Sequence, residues 1–199
     1  MAIRDLLFAC VECGRESGLK PSEQEEVCDR CGTRYYRGAG ATITCVRPNG
    51  TTENHPAAYW LDHLERSSRP DDTRAEPRDR VVIRMATTHK ALRHRGIYLG
   101  KVELFGEPVT GWLTLTGSHL RMEPEQGIAE LWPLDQITAV QPSSTTLQIK
   151  ISKGPVISMR FLEASPLLWD QRVRDAVQRV YMESGRGEIA EYQPRIACR

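Results

Sequence analysis

The chain has 199 residues, of which 40% are hydrophobic and 27% charged, and its net charge is +1. That composition belongs to a globular chain, excludes a disordered one, and offers no charge excess to name a partner. The length allows a small module joined to a domain of roughly 100 to 130 residues. Charge is unevenly spread: residues 1–65 carry 7 Lys+Arg against 10 Asp+Glu, and residues 81–199 carry 15 against 12. An acidic first part makes a poor dock for nucleic-acid phosphates unless its positive charges cluster.

The opening Ile3-Arg4-Asp5-Leu6-Leu7-Phe8-Ala9 is a short apolar run broken by Asp5 and followed at once by a cysteine pair, unlike a secretory signal. No stretch approaches the ~20 apolar residues that cross a bilayer. The expected location is therefore cytoplasmic, with membrane contact at most peripheral. A reducing cytosol makes closely paired cysteines better metal ligands than disulfide partners.

The pairs are Cys10-Val11-Glu12-Cys13-Gly14 and Cys28-Asp29-Arg30-Cys31-Gly32, separated by 14 residues. Two cysteines three apart on a tight turn aim both sulfurs at one ion, and the glycine after each pair supplies the backbone freedom that closes the turn. Four thiolates fill a tetrahedral zinc shell and leave no position for water. The expected cofactor is one structural zinc ion held by Cys10, Cys13, Cys28 and Cys31. These knuckles resemble those of the zinc-ribbon family over about residues 8–47, and that resemblance implies a second knuckle set between short antiparallel strands.

Thr33–Arg37 and Ala41–Val46 are β-prone runs separated by Gly38-Ala39-Gly40, which predicts a small hairpin. Cys45 alternates with Ile43 on the second strand and reads as a small core residue rather than a fifth ligand. Cys198 reads as an exposed thiol at a frayed end. Asn54-His55-Pro56 then suggests a helix start, and Ala57, Trp60, Leu61 and Leu64 recur at helical spacing up to Arg66. Residues 66–80, RSSRPDDTRAEPRDR, have two prolines and no large apolar side chain, so they read as a linker between a first part, 1–65, and a second, 81–199.

In the second part, Val81–Met85 suits a strand. His89-Lys90-Ala91-Leu92-Arg93-His94-Arg95 is the most basic stretch of the chain. It reads either as a solvated loop or short helix, or as a contact for anionic headgroups or phosphate through Lys90, Arg93 and Arg95. Seven short strands follow: Gly100–Phe105, Val109–Thr116, His119–Glu123, Ile128–Trp132, Gln136–Val140, Thr146–Ser152 and Val156–Phe161. Alternation is clearest in Trp112-Leu113-Thr114-Leu115 and in Leu147-Gln148-Ile149-Lys150-Ile151. Ser165 and Pro166 then open a helix over about 165–184, with Trp169, Val173, Ala176, Val177 and Val180 on one stripe.

The segments Gly111–Thr116, His119–Met122 and Trp132–Ile137, with Trp169 in the helix, resemble the pleckstrin-homology-like superfold, in particular its GRAM and bacterial PH-like branches, over residues 98–184. The resemblance implies a mainly β chain: a zinc ribbon plus a bent barrel of about seven strands capped by a C-terminal helix. It also implies a surface for lipids, peptides or partner domains. The phosphoinositide-binding members carry a strand lysine followed by a basic pair. Here Lys101 is followed by Glu103 and Glu107 with no arginine pair, which disfavours tight phosphoinositide binding.

No catalytic arrangement stands out. His55 with Asp62, and His89 with His94, match no metalloprotease or acyltransferase spacing, and there is no nucleophile elbow, phosphate loop or dinucleotide fingerprint. His119 falls within a predicted strand. The expected function is a non-enzymatic adaptor that meets a protein or a membrane surface. The alternative is nucleic-acid binding through Arg30, Arg34 and Arg37, with a lipid-transfer accessory role a more distant third.

Overall fold

The computed structural model describes residues 2–22, 24–67, 76–143 and 145–187. Among the described residues it is mostly β, with two antiparallel sheets and two α-helices. Cys198 and residues 68–75 of the expected linker lie outside the described residues.

The first sheet runs in sequence order through β1 (Leu19–Ser22), β2 (Glu25–Cys28), β3 (Arg34–Arg37), β4 (Thr42–Val46) and β5 (Thr52–Pro56). The predicted hairpin is β3–β4, with Tyr35 opposite Cys45. Both of these residues are fully buried beside Ile43, and Cys45 is a core residue, as its alternation suggested. Asn54-His55-Pro56 do not start a helix. They complete β5, pairing with Thr42–Thr44, and α1 (Ala57–Ser67) follows without a break. A proline last in an edge strand has no ladder hydrogen bond to lose, so the strand tolerates it.

Helix α1 lays Trp60 and Leu64 onto the sheet, and the Trp60 indole N–H donates to the Ile43 carbonyl at 3.0 Å. The opening apolar run packs here too: Ile3, Leu7 and Phe8 are buried. The buried Glu26 carboxylate accepts the Ile3 and Arg4 backbone N–H groups at 2.8 and 2.9 Å, so a 3-10 turn over Ile3–Asp5 is capped from the sheet.

The second sheet is built from β6 (Arg78–His94), β7 (Ile97–Phe105), β8 (Val109–Leu115), β9 (His119–Pro124), β10 (Glu130–Pro133), β11 (Ile137–Pro142), β12 (Leu147–Ile151) and β13 (Val156–Phe161). Seven strands form a curled half-barrel in the order β10-β9-β8-β6-β13-β12-β11, and β7 pairs with β6 outside that path. Two three-strand meanders therefore flank β6, which pairs with β8 through Arg78–Ile83 and with β13 through Val81–Met85.

Seven barrel strands were expected, but one member differs. Gly100–Phe105 belongs to β7 and, among the described residues, pairs only with the far half of β6, so the seventh barrel strand is the segment around Val81–Met85. The basic stretch His89–Arg95 is neither a loop nor a helix: up to His94 it continues β6, and Arg95 begins the turn into β7. Arg78–Arg80, read as linker, open the same strand, and the Pro77 carbonyl already accepts from Leu115 N–H at 2.9 Å. Charged residues at alternate positions, Arg78, Arg80 and Arg84, face away from the core that takes Val81 and Ile83, so their polarity masked a half-buried strand.

Helix α2 (Pro166–Glu183) closes the half-barrel. Ser165 caps it, its Oγ accepting from Leu167 N–H at 3.2 Å. Trp169, Val173, Ala176 and Val177 are buried in the same core as Leu113, Leu120, Leu134, Ile149 and Ile157. Trp169 stacks on Phe161 with centroids 5.2 Å apart and donates its indole N–H to Asp79 Oδ2 at 2.9 Å.

The next residue back serves the other sheet: Leu168 is buried among Leu7, Phe8, Leu19, Trp60 and Leu64. Consecutive residues of one helical turn point about 100° apart, which lets Leu168 and Trp169 enter two cores. Arg172, one turn on, reaches Glu16 at 2.5 Å and Asp79 at 3.8 Å.

Candidate metal centre

Each cysteine pair sits on the same backbone device. Cys10 N–H donates to the Arg15 carbonyl at 3.0 Å and Gly14 N–H to the Cys10 carbonyl at 2.9 Å; Cys28 N–H donates to Thr33 at 2.9 Å and Gly32 N–H to Cys28 at 3.0 Å. The repeat is matched bond for bond. Gly14 and Gly32 have φ of +66° and +75°, the left-handed region where a side chain is strained, which is why glycine stands at both places.

The two knuckles face each other. All four Sγ atoms of Cys10, Cys13, Cys28 and Cys31 lie within 4.8 Å of one another, with Cys10 to Cys31 at 3.5 Å and Cys13 to Cys28 at 3.7 Å. A tetrahedron with metal–sulfur bonds of ~2.3 Å has edges of about 3.8 Å. Spacing and donor set thus fit a metal ion, and four soft thiolates in that geometry suit zinc.

Partners outside the ligand set orient it. The Tyr35 hydroxyl lies 3.1 Å from Cys10 Sγ and accepts the Val11 N–H at 3.0 Å, which leaves its own proton for the sulfur. Thr33 Oγ1 lies 3.1 Å from Cys31 Sγ. Such contacts hold ligands in place and stabilise negative charge on sulfur. Arg47 ties the first knuckle to the sheet, bonding Glu12 at 2.6 Å and Glu53 at 2.7 Å.

Electrostatics without a cation are uneven. Burial pushes the Cys13 thiol up to about 12, and burial also raises Cys10 against the hydrogen bond from Tyr35. At Cys31 burial acts upward but loses to hydrogen bonds from the Thr33 hydroxyl and backbone N–H, and the thiol falls to about 7. A dication in the centre would remove that conflict, because a coordinating thiol loses its proton outright.

The remaining candidates fall elsewhere. Lys90 and Arg93 are exposed on the β6–β7 hairpin and Arg95 in its turn, away from the cysteine centre. Arg30 is exposed beside Cys31, whereas Arg34 and Arg37 stand three apart on β3 and so fall on opposite faces of the strand. His55 stacks on Tyr59 at 3.9 Å between centroids, and Asp62 pairs with Arg66 at 2.7 Å on α1. His119 opens β9 with Nδ1 2.7 Å from Ser118 Oγ. Tyr35 and Thr33 were missed as supports for the metal centre. Their places directly after the second knuckle, in a β-prone run with one face inward, were the available signal.

No protein-family model and no curated protein matches the chain. Among solved structures, it is similar to the C-terminal domain of an unknown protein from Leishmania infantum, at 14% identity and a TM-score of 0.34, over 59% of this chain and 97% of that one. No helix among the described residues is long and apolar enough to cross a membrane.

Proposed function

We propose that this chain is a non-enzymatic adaptor in which a zinc-ribbon module and a PH-like half-barrel present a joint surface to a protein or membrane partner. The observation that carries the reading is the closed four-cysteine centre. Its four donors complete a tetrahedral shell, so the ion stabilises a fold and has no open position at which to activate water. The strand order supports the PH-like assignment: two three-strand meanders flank β6, and a C-terminal helix with an inward tryptophan plugs the curl. The absence of a catalytic spacing in the sequence supports a binding role.

Leu168 in the first core and Arg172 on Glu16 favour a platform made of both regions over two beads on a string. The test is affinity capture from a host lysate with the intact protein and with a Leu168→Ala variant, alongside vesicle sedimentation. A reproducible partner, or vesicle binding, that weakens when the joint is loosened supports the adaptor. No partner and no vesicle binding overturns it.

A further inference from the structure

The far half of the β6–β7 hairpin extends past everything else that pairs with β6. The ladder with β13 ends at Met85, and from Ala86 to His94 the strand has β7 as its one neighbour among the described residues. Nine residues at ~3.3 Å each make an arm of about 30 Å. Residues 87–99 are all exposed. The tip is a two-residue turn, Arg95-Gly96, with φ of +48° and +82°, the pattern of a type I′ hairpin, and Arg93 Nη1 closes on the Gly96 carbonyl at 3.4 Å.

Exposed apolar side chains flank the tip, where a solvated loop would carry polar ones. Leu92, Ile97, Tyr98 and Leu99 are 49%, 67%, 52% and 60% exposed. Cross-strand pairing puts Lys90 with Val102 and His94 with Ile97 on one face, continuing through Leu92 and Leu104, and leaves Leu99 as the extra residue of a bulge. The fixed charges along the arm are Lys90, Arg93, Arg95 and Lys101 against Glu103.

We propose that this arm is a membrane anchor, which inserts Leu92, Ile97 and Leu99 at the headgroup boundary of an anionic bilayer while Lys90, Arg93 and Arg95 lie on its phosphates. The proposal rests on the adaptor reading and names its membrane partner. Two features select that occupant. Excess positive charge at the tip repels the same tip on a second copy, and aliphatic side chains gain little from nucleic acid. An anionic leaflet satisfies both halves of the pattern, and Tyr98 suits the headgroup level. Each basic residue close to such a surface multiplies affinity roughly fivefold. A weak electrostatic contact plus a shallow apolar wedge gives reversible binding.

The experiment is sedimentation of the full-length, zinc-loaded protein with vesicles of phosphatidylcholine alone or with 30% phosphatidylserine (~30%, a strongly anionic surface), at low and physiological salt. Binding should require the anionic lipid. Ile97→Asp with Leu99→Asp should abolish it, and Lys90→Gln, Arg93→Gln and Arg95→Asn together should weaken it about a hundredfold. All five positions are exposed, so unchanged thermal melting should accompany the loss.

Three outcomes overturn the proposal. One is no binding to anionic vesicles at low salt. The second is binding that survives both sets of substitutions. The third is a dimer on gel filtration that the tip substitutions dissolve without any lipid binding, which makes the occupant a second copy. If lysate capture succeeds while vesicles fail, the adaptor survives and the membrane anchor does not.

Discussion

The two sheets hold themselves together by different means. The half-barrel owns a continuous apolar core in which β6, β8, β9, β11, β12, β13 and α2 all bury side chains. The first sheet has a thinner core: three of its buried members are Cys10, Cys28 and Cys45, and another, Leu168, is lent by the helix of the half-barrel. A small module of this kind buries too little surface to offset its chain entropy and needs a staple. A metal ion held by the four cysteines would supply one staple, and Leu168 supplies a second.

The largest effect should therefore come from the metal. Cys13→Ser, or chelation of the wild type, should melt residues 1–65 with a loss on the order of 10 kcal/mol, while the half-barrel stays folded. Limited proteolysis reads this directly, and a protease-resistant N-terminal fragment in the variant would contradict it. The half-barrel answers to its own centre. Trp169→Ala, at a residue with no exposed surface that also holds Asp79, should cost about 3–5 kcal/mol, read as a lower denaturation midpoint.

Leu168→Ala sharpens the comparison, because it touches both regions. A loss of about 2–3 kcal/mol should fall on the first sheet and split a single unfolding transition into two. One transition with an unchanged midpoint would mean that Leu168 does not hold the two regions together. The smallest change expected is at Tyr35→Phe, which removes a hydroxyl and leaves the ring. Zinc affinity should drop about 10- to 100-fold in a chelator competition, with the module still folded at saturating zinc.

What could be read from residues alone follows the same division. The knuckles were legible because their chemistry is local: two cysteines, one spacing and one glycine determine each turn. The strands Val109–Phe161 and the stripe on α2 were legible because alternation and helical spacing report a buried face. β1 and β2 were not, since Leu19-Lys20-Pro21-Ser22 and Glu25-Glu26-Val27-Cys28 carry little alternation. Glu26 is buried for the sake of the Ile3 and Arg4 N–H groups more than 20 positions away. The hairpin arm was misread for a related reason. Its pairing from Thr88–Leu104 to His94–Ile97 buries nothing, so no apolar period marked it, and only the Arg95-Gly96 turn could have announced it. Leu168 and Trp169 look alike as neighbouring apolar residues, and nothing local says that they serve different cores.

The most direct test of the account is the metal content of protein purified without chelator or metal-affinity resin, measured by elemental analysis together with thiol titration. One zinc per chain, with Cys10, Cys13, Cys28 and Cys31 unreactive until a chelator is added, is the result the account predicts. No zinc, with four freely titrating thiols in a folded N-terminal sheet, would contradict it.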